Sequence, residues 1–413
     1  MERGTKYTLL ILIVIGLLAP LIQYQTQLIP VKKLHGSFYK NPKAQFNFSA
    51  WFDNSFQNKY DSYFNQQFGF RPYFVRLHNQ LDYSLFREAN ANSVILGKDD
   101  YLFEKGYIDS YLGDNYIGKS NIKSKLSTID SVYQILKQNQ TELLIIIAPG
   151  KGYFYSEYIP EDLLHERGRT NYDDYIEELV KMDIPYIDFN DLFLKMKDTS
   201  SIVIYPKTGI HWSQGIVPYV IDSIINRTEE ILQKDLPNVI VNKVVQSKIA
   251  DKQDADIEKG LNLFFPLKTP IMQYPEVHFE TNPVLTKPKV ITIADSYFWQ
   301  LFNKGISTKV FDDGAFWYYY KQVYPNSLNG DLFIEDIAVR QELFKADLVI
   351  LMCTETNLYK FPFGFENSME YTKFDLPILE TNTQNLMNYI RTDAAWMKHI
   401  EEKAAQKGIS VDS

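Results

Sequence analysis

One cysteine, Cys353, stands among 413 residues. That scarcity excludes an intramolecular disulfide, and no Cys/His spacing typical of a metal site occurs. At the end of the apolar run 348–353 the thiol reads as a buried strand residue, not a nucleophile. An excess of basic residues is also missing: 43 Lys and Arg against 51 Asp and Glu leave a net charge of -8. Such an acidic chain repels phosphate backbones and carries no nucleic-acid footprint. Internal repeats and low-complexity segments are absent, and 45% apolar residues exclude general disorder. What is abundant is aromatic, with 29 Tyr and 27 Phe. Those side chains stack on sugar rings, but a large core uses them equally.

Long uncharged runs are scarce, and the longest opens the chain. Tyr7 to Gln23 is apolar and uncharged, with Arg3 and Lys6 before it. Its length lies at the lower edge of a membrane span. Ala19-Pro20-Leu21-Ile22 offers no small-residue cleavage site, and the flanking positive charges place the following chain outside the cytoplasm. The expectation is a cytoplasmic tail at 1–6, an uncleaved transmembrane signal anchor at 7–23, and a linker with helical N-terminal region at 24–93.

Periodicity orders the rest. Apolar spacings of three and four predict helices over Ala50–Phe64 and Pro72–Glu88, and Val94–Phe103 reads as a hairpin. Further helices are expected at 121–138, 173–181 and Trp212–Leu232. Short apolar runs predict buried strands at Leu143–Ala148, Ile184–Phe189, Val290–Ala294, Lys309–Asp312 and Leu348–Cys353. Alternating strands and helices make this an α/β chain with a parallel sheet flanked by helices. The catalytic domain is expected over 94–413. The proline-rich, loosely patterned stretch at about 234–286 reads as an insertion with short strands near a substrate groove. A terminal helix is expected within 375–408. Ligands in such sheets sit beyond the carboxyl ends of the strands, where Ser296, the stretch 353–357 and Pro149-Gly150-Lys151 fall.

Two stretches carry chemistry. Val290-Ile291-Thr292-Ile293-Ala294 runs into Asp295-Ser296 and then a helix-compatible segment, so the turn exposes Ser296 beside free helix N–H groups able to bind an oxyanion. Lys207-Thr208-Gly209-Ile210-His211-Trp212-Ser213 supplies an imidazole at the mouth of the next predicted helix. Acyl transfer needs a hydroxyl, a base, a group that holds the imidazole tautomer, and oxyanion donors. Ser296 and His211 are the candidates for the first two. Asp188 and Asp191, at the end of the strand 184–189, are candidates for the orienting acid, although a helix N-cap explains them equally well. Asp295 adjoins the serine, points away from it and belongs to the turn.

Ile-Ala-Asp-Ser-Tyr-Phe at 293–298 resembles the Gly-Asp-Ser block of SGNH-type esterases. Thr-Gly-Ile-His-Trp at 208–212 is similar to the Thr-Asp-x-His-Trp block of the alginate O-acetyltransferase family, whose His block also precedes its Ser block. Ala294 replaces a glycine, and Gly209 replaces the aspartate that orients the histidine in that family; Gly209 is also a candidate for a positive φ. The resemblance implies an SGNH-like fold with an N-terminal membrane anchor, and a periplasm-facing, single-pass protein of the cytoplasmic membrane that transfers acetyl groups to hydroxyls of an exported polysaccharide. It implies no bound cofactor and no metal, with acetyl drawn ultimately from acetyl-CoA and relayed by a membrane-bound O-acyltransferase partner. Asn357 is then a candidate oxyanion donor, and Lys151, matching a Pro-x-Lys element, a candidate for a substrate or structural role near the cleft. A carbohydrate esterase of the same fold is one alternative. An inactive carbohydrate-binding or scaffold member is the other, and Gly209 is the feature in its favour.

Overall fold

The computed structural model describes residues 3–370 apart from 37–39, 252 and 283, together with scattered positions between 383 and 404. The expected terminal helix at 375–408 therefore lies largely outside the described residues. At the other end, Arg3–Thr26 is one exposed helix. Its stretch Gly4–Thr26 has a mean hydropathy of 2.1 and is long and apolar enough to cross a membrane. Gly69 packs against the end of this helix so closely that a Cβ there would lie 2.0 Å from the Pro20 carbonyl oxygen.

Three helices follow, Phe48–Phe52, Ser55–Gln67 and Arg71–Leu81. The first two replace the single helix expected over 50–64, because Asn54 takes a left-handed conformation (φ 65°) and breaks the ladder. The third passes into a wider π turn, Asp82–Phe86, that ends at Arg87. The hairpin is present as antiparallel β1 (Val94–Leu96) and β2 (Leu102–Glu104).

The central sheet is built from β3 (Glu142–Ala148), β4 (Tyr186–Asp188), β7 (Val290–Ala294), β8 (Ala315–Tyr318), β9 (Gln322–Tyr324) and β10 (Leu348–Thr354). Between β4 and β7 in sequence, β5 (Val239–Ser247) and β6 (Met272–Phe279) pair antiparallel apart from the sheet. The sheet order is β4-β3-β10-β7-β8-β9, parallel throughout except for β9.

Because strand side chains alternate faces, the near-continuous apolar runs of β3 and β10 feed two cores. Leu144, Ile146, Ile350 and Met352 pack under the helix Val217–Leu232, while Leu143, Ile145, Ile147, Val349 and Leu351 meet the helices Lys119–Gln138 and Asn171–Leu179. Cys353 is buried in the second core. The mixed sheet flanked by helices is the α/β architecture expected from the alternation of strands and helices.

Two expected elements are corrected. The strand at Lys309–Asp312 is instead the end of a short helix, Ile306–Lys309, and the strand is β8, later in the chain. Val310 and Phe311 are buried, and a two-residue apolar signal does not separate a helix end from a strand. The helix expected from Trp212 begins only at Val217, with Pro218 in its first turn. His211 therefore rides on an irregular loop, tied down by the Ser213 N–H donating to Ile204 O at 2.8 Å.

Candidate active site

Ser296 stands at the carboxyl end of β7, in the turn before the helix Phe298–Lys304. The turn is held by Asp295, which is fully buried. Its Oδ1 accepts the Tyr297 N–H at 3.1 Å, and its Oδ2 accepts the Thr354 N–H at 2.8 Å, the Thr354 hydroxyl at 2.5 Å and Asn357 Nδ2 at 3.0 Å. A buried carboxylate needs that many donors. The result clamps the end of β7 to the end of β10 and leaves Ser296 facing outward.

His211 meets the serine. Its Nε2 lies 3.0 Å from Ser296 Oγ, and its Nδ1 lies 2.6 Å from Asp256 Oδ2. With Nδ1 protonated and donating to the carboxylate, Nε2 is the acceptor for the serine hydroxyl. The other Asp256 oxygen, Oδ1, accepts the N–H groups of Ile210 at 2.9 Å and Ile257 at 2.8 Å, which fixes the carboxylate's rotation. Histidine and aspartate side chains are 19% and 30% exposed, so the pair works with reduced solvent screening.

Asp256 follows His211 by 45 residues and belongs to the segment between β5 and β6. Asp188 and Asp191 are not its equivalents. Asp188 caps the helix Phe189–Met196 through the N–H groups of Asn190 and Asp191 and accepts the Tyr172 hydroxyl at 2.8 Å. Asp191 pairs with Lys195 at 2.6 Å. The physical reason is sheet order: β3 and β10 stand between β4 and β7, which separates those acids from the serine strand by three spacings, roughly 14 Å.

Gly209 bears on how Asp256 comes to the histidine. It is not among the glycines with positive φ, so the expectation of a left-handed conformation is corrected. Its requirement is close approach: a Cβ at 209 would lie 2.8 Å from Asp254 O and 2.9 Å from Pro206 Cγ. The 254–258 segment crosses the histidine loop there, with Thr208 Oγ1 donating to Asp254 O at 2.9 Å and the Glu258 N–H to Thr208 O at 3.1 Å. The bare glycine makes room for the segment that delivers Asp256.

Lys151 is fully buried and is not among the residues that line the cavity at Ser296. Its Nζ donates to Gly209 O at 2.6 Å and Lys207 O at 3.0 Å, and Leu102 N–H of β2 donates to Lys207 O at 3.0 Å. Burial lowers its ammonium pKa to about 7. Of the substrate and structural roles considered for Lys151, these bonds fit the structural one, a brace on the histidine loop. A second brace is aromatic: Tyr297 OH donates to Ile210 O at 2.7 Å, and its ring lies 4.7 Å from the His211 ring. Trp212 is buried against Tyr297, with centroids 5.1 Å apart.

Ser296 and His211 open onto a cavity of about 370 Å³ that Glu104, Gly106, Tyr319 and Asn357 also line. Burial, and then the negative charge of Asp256, push the Glu104 carboxyl up from its ordinary value. Asn357 is close to Ser296, but both of its amide hydrogens are engaged, by Asp295 Oδ2 at 3.0 Å and Tyr319 OH at 3.3 Å. Oxyanion binding by Asn357 would exchange the longer, outer bond. Among the described residues no group of His, Cys, Asp and Glu has a metal-holding arrangement.

A serine at a strand end, a histidine on a braced loop and a carboxylate behind it, at the carboxyl edge of a mixed sheet flanked by helices, form a Ser-His-Asp arrangement of the kind that acyl transfer uses. The sequence profile of the SGNH hydrolase-like domain of the acetyltransferase AlgX matches residues 94–215. Two probable alginate O-acetylases named AlgJ are similar to the chain: one from Pseudomonas syringae pv. tomato, 23% identical over 37% of each chain, and one from Pseudomonas fluorescens, 22% identical over 50% of each. The chain thus matches half or less of the length of these relatives. Among solved structures, the O-acetyltransferase domain of Pseudomonas putida AlgJ aligns over 65% of this chain and 92% of its own, with a TM-score of 0.44 and 16% identity. Pseudomonas aeruginosa AlgX aligns over 67% of both chains, with a TM-score of 0.42 and 12% identity.

Proposed function

We propose that this protein is a membrane-anchored O-acetyltransferase that moves an acetyl group onto hydroxyls of an exported polysaccharide through an acyl-Ser296 intermediate. The observation that carries the reading is the continuous chain Ser296 Oγ, His211 Nε2, His211 Nδ1, Asp256 Oδ2, with links of 3.0 and 2.6 Å. His211 takes the Ser296 proton as Oγ attacks the acetyl carbonyl, and the imidazolium so formed is stabilised by Asp256. The proton then passes to the departing group of the donor, leaving acetyl-Ser296. A sugar hydroxyl enters, gives its proton to His211 and attacks the ester carbonyl; collapse returns the proton to Ser296. The Ser296 N–H and the N–H groups that open the helix Lys105–Leu112 at Gly106, which lines the same cavity, are the donors this reading assigns to the tetrahedral oxygen.

The helix Arg3–Thr26 holds the catalytic body at the outer face of the cytoplasmic membrane. Outside the cytoplasm there is no acetyl-CoA, so a membrane-bound O-acyltransferase supplies the acetyl group and no cofactor stays on this chain. The Asp256 carboxylate against Nδ1 supports the catalytic reading over the inactive scaffold that Gly209 favours. The test is covalent trapping: a serine-directed sulfonyl fluoride labels Ser296 in the wild type and not in His211→Ala. Acetyl transfer from nitrophenyl acetate to an oligosaccharide, measured beside acetyl release to water, separates transferase from esterase. Failure to label Ser296 at any reagent concentration would overturn the enzymatic reading.

A further inference from the structure

The helix Arg71–Leu81 is built inside out. Its buried residues are polar: Arg76 and Asn79 are 7% and 6% exposed, whereas Phe74, Leu77 and Leu81, spaced three and four apart on the opposite face, are 50%, 48% and 47% exposed. The polar face is paired to the rest of the protein. Arg76 donates to Lys32 O at 2.9 Å and Lys33 O at 2.7 Å, and Asn79 Nδ2 donates to Leu261 O at 2.7 Å. A helix on the surface of a water-soluble domain turns its apolar stripe to the core. The reverse arrangement fits a helix whose outer surroundings are apolar.

The apolar face continues beyond this helix. Rings follow one another from Phe46 through Phe56, Tyr60, Phe64 and Phe68 to Phe74, with centroids 5.4 to 6.3 Å apart. Phe48 and Phe52 stand exposed at one end of the row, and Leu85 at the other. The row passes Gly69, the residue pressed against Pro20 of the leading helix. Pro20 precedes Gln23, the end of the apolar run, by about 4.5 Å along the helix axis. The contact therefore sits where the hydrocarbon of a bilayer gives way to headgroups, the level at which aromatic belts form. Charge agrees with that placement. Residues 24–93 hold eight Lys and Arg against four Asp and Glu, in a chain whose net charge is -8. A basic segment beside an apolar face is drawn to anionic phospholipid headgroups.

We infer that the face formed by residues 46–86 beds in the outer leaflet of the membrane, as a second attachment that fixes the height and tilt of the catalytic body. The inference rests on the membrane-anchor reading above and goes beyond it, since one spanning helix alone leaves the body free to swing. The face is joined to the catalytic body through packed contacts. The Asn79 bond ends on Leu261, the last residue of the helix Asp256–Leu261, whose first residue meets His211. Tyr73 stacks on Phe264 just beyond that helix, with centroids 6.1 Å apart.

The test uses the full-length protein in nanodiscs of phosphatidylethanolamine and phosphatidylglycerol, with no other protein present. Nitroxide labels are attached one at a time through Phe52→Cys, Leu77→Cys and Leu85→Cys, all exposed positions, and the native thiol of Cys353 is buried. Ile13→Cys in the leading helix and Ser127→Cys on the exposed side of the helix Lys119–Gln138 serve as references. Power-saturation EPR reads each label's accessibility to oxygen and to a water-soluble nickel chelate. The labels at 52, 77 and 85 are expected about 5–10 Å below the headgroup boundary, shielded from the chelate, with the label at 13 deeper and the label at 127 open to it. Labels at 52, 77 and 85 as open to the chelate as the one at 127 overturn the inference and leave the face to a protein partner. Shielding accompanied by dipolar broadening between labels overturns it in favour of a second copy of this chain. A chelate-accessible label at 13 refutes the spanning helix instead, while the three labels on the face still decide the lipid contact.

Discussion

Replacing Asp256 by asparagine removes one charge and almost no volume, and the consequence can be worked from its neighbours. Oδ1 accepts two backbone N–H groups, from Ile210 and Ile257, so the amide oxygen of the introduced asparagine would stay there and its NH2 would face His211. An NH2 opposite Nδ1 demands that Nδ1 accept. The ring proton then moves to Nε2, which can no longer take the Ser296 proton. The carboxylate's charge is lost as well. A unit charge pair at about 4 Å in an effective dielectric of 20 is worth about 4 kcal/mol, or roughly three powers of ten in rate. With the tautomer reversed, the expected fall in kcat is roughly 10⁴. Single-turnover acetylation of Ser296, followed by intact mass, measures it. Far-UV circular dichroism and the melting temperature should match wild type, since the backbone contacts of position 256 survive. Activity of Asp256→Asn within tenfold of wild type, or an equal loss in Asp188→Asn, would refute the reasoning.

The remaining predictions share the same site. Ser296→Ala and His211→Ala each abolish transfer, and the double variant is no worse than either single one, because the two act as one unit; additive losses in kcat would separate them. Gly209→Asp lowers stability and activity together, because its Cβ would press on Asp254 O at 2.8 Å; overpacking of this kind costs about 1–3 kcal/mol, readable as a lower urea midpoint. Lys151→Met leaves Gly209 O without its 2.6 Å donor, for about 1–3 kcal/mol. The pH dependence has a definite sign. Lys151 titrates at about 7 when folded and near 10.4 when unfolded. Between those values the unfolded chain holds a proton that the native chain lacks, so the lysine's contribution makes the native state more stable as pH rises from about 7 to about 10.4. Lys151→Met flattens that rise, as urea midpoints at neutral and alkaline pH would reveal. Finally, intact-mass analysis of the membrane fraction should find the helix Arg3–Thr26 still attached; a mature amino terminus beyond Thr26 would contradict the anchor.

Ser296 and His211 were readable from order and spacing, since each sits in a local pattern: a buried strand running into a turn, and a His-Trp pair after a glycine. The sheet strands Leu143–Ala148, Val290–Ala294 and Leu348–Cys353 were equally legible, because a strand buried on both faces writes itself as an unbroken apolar run. Lys309–Asp312 failed for want of length, since a brief apolar signal fits a helix end as well. Asp188 and Asp191 looked suitable because they lie at a strand end, yet strand order is a property of the whole sheet, and it put two strands between them and the serine. Asp256 carried no local mark at all: it opens a short helix in a proline-rich excursion and reaches His211 only because Gly209 lets that segment cross the loop within van der Waals contact. The sequence by itself therefore determined the candidate hydroxyl and imidazole, the alternating architecture and the apolar leading helix, all short-range features of composition and period. Which carboxylate lies against the histidine, which lysine braces its loop and which tyrosines border the cleft were decided by tertiary structure, because each depends on contacts between segments whose separation along the chain says nothing about their separation in space.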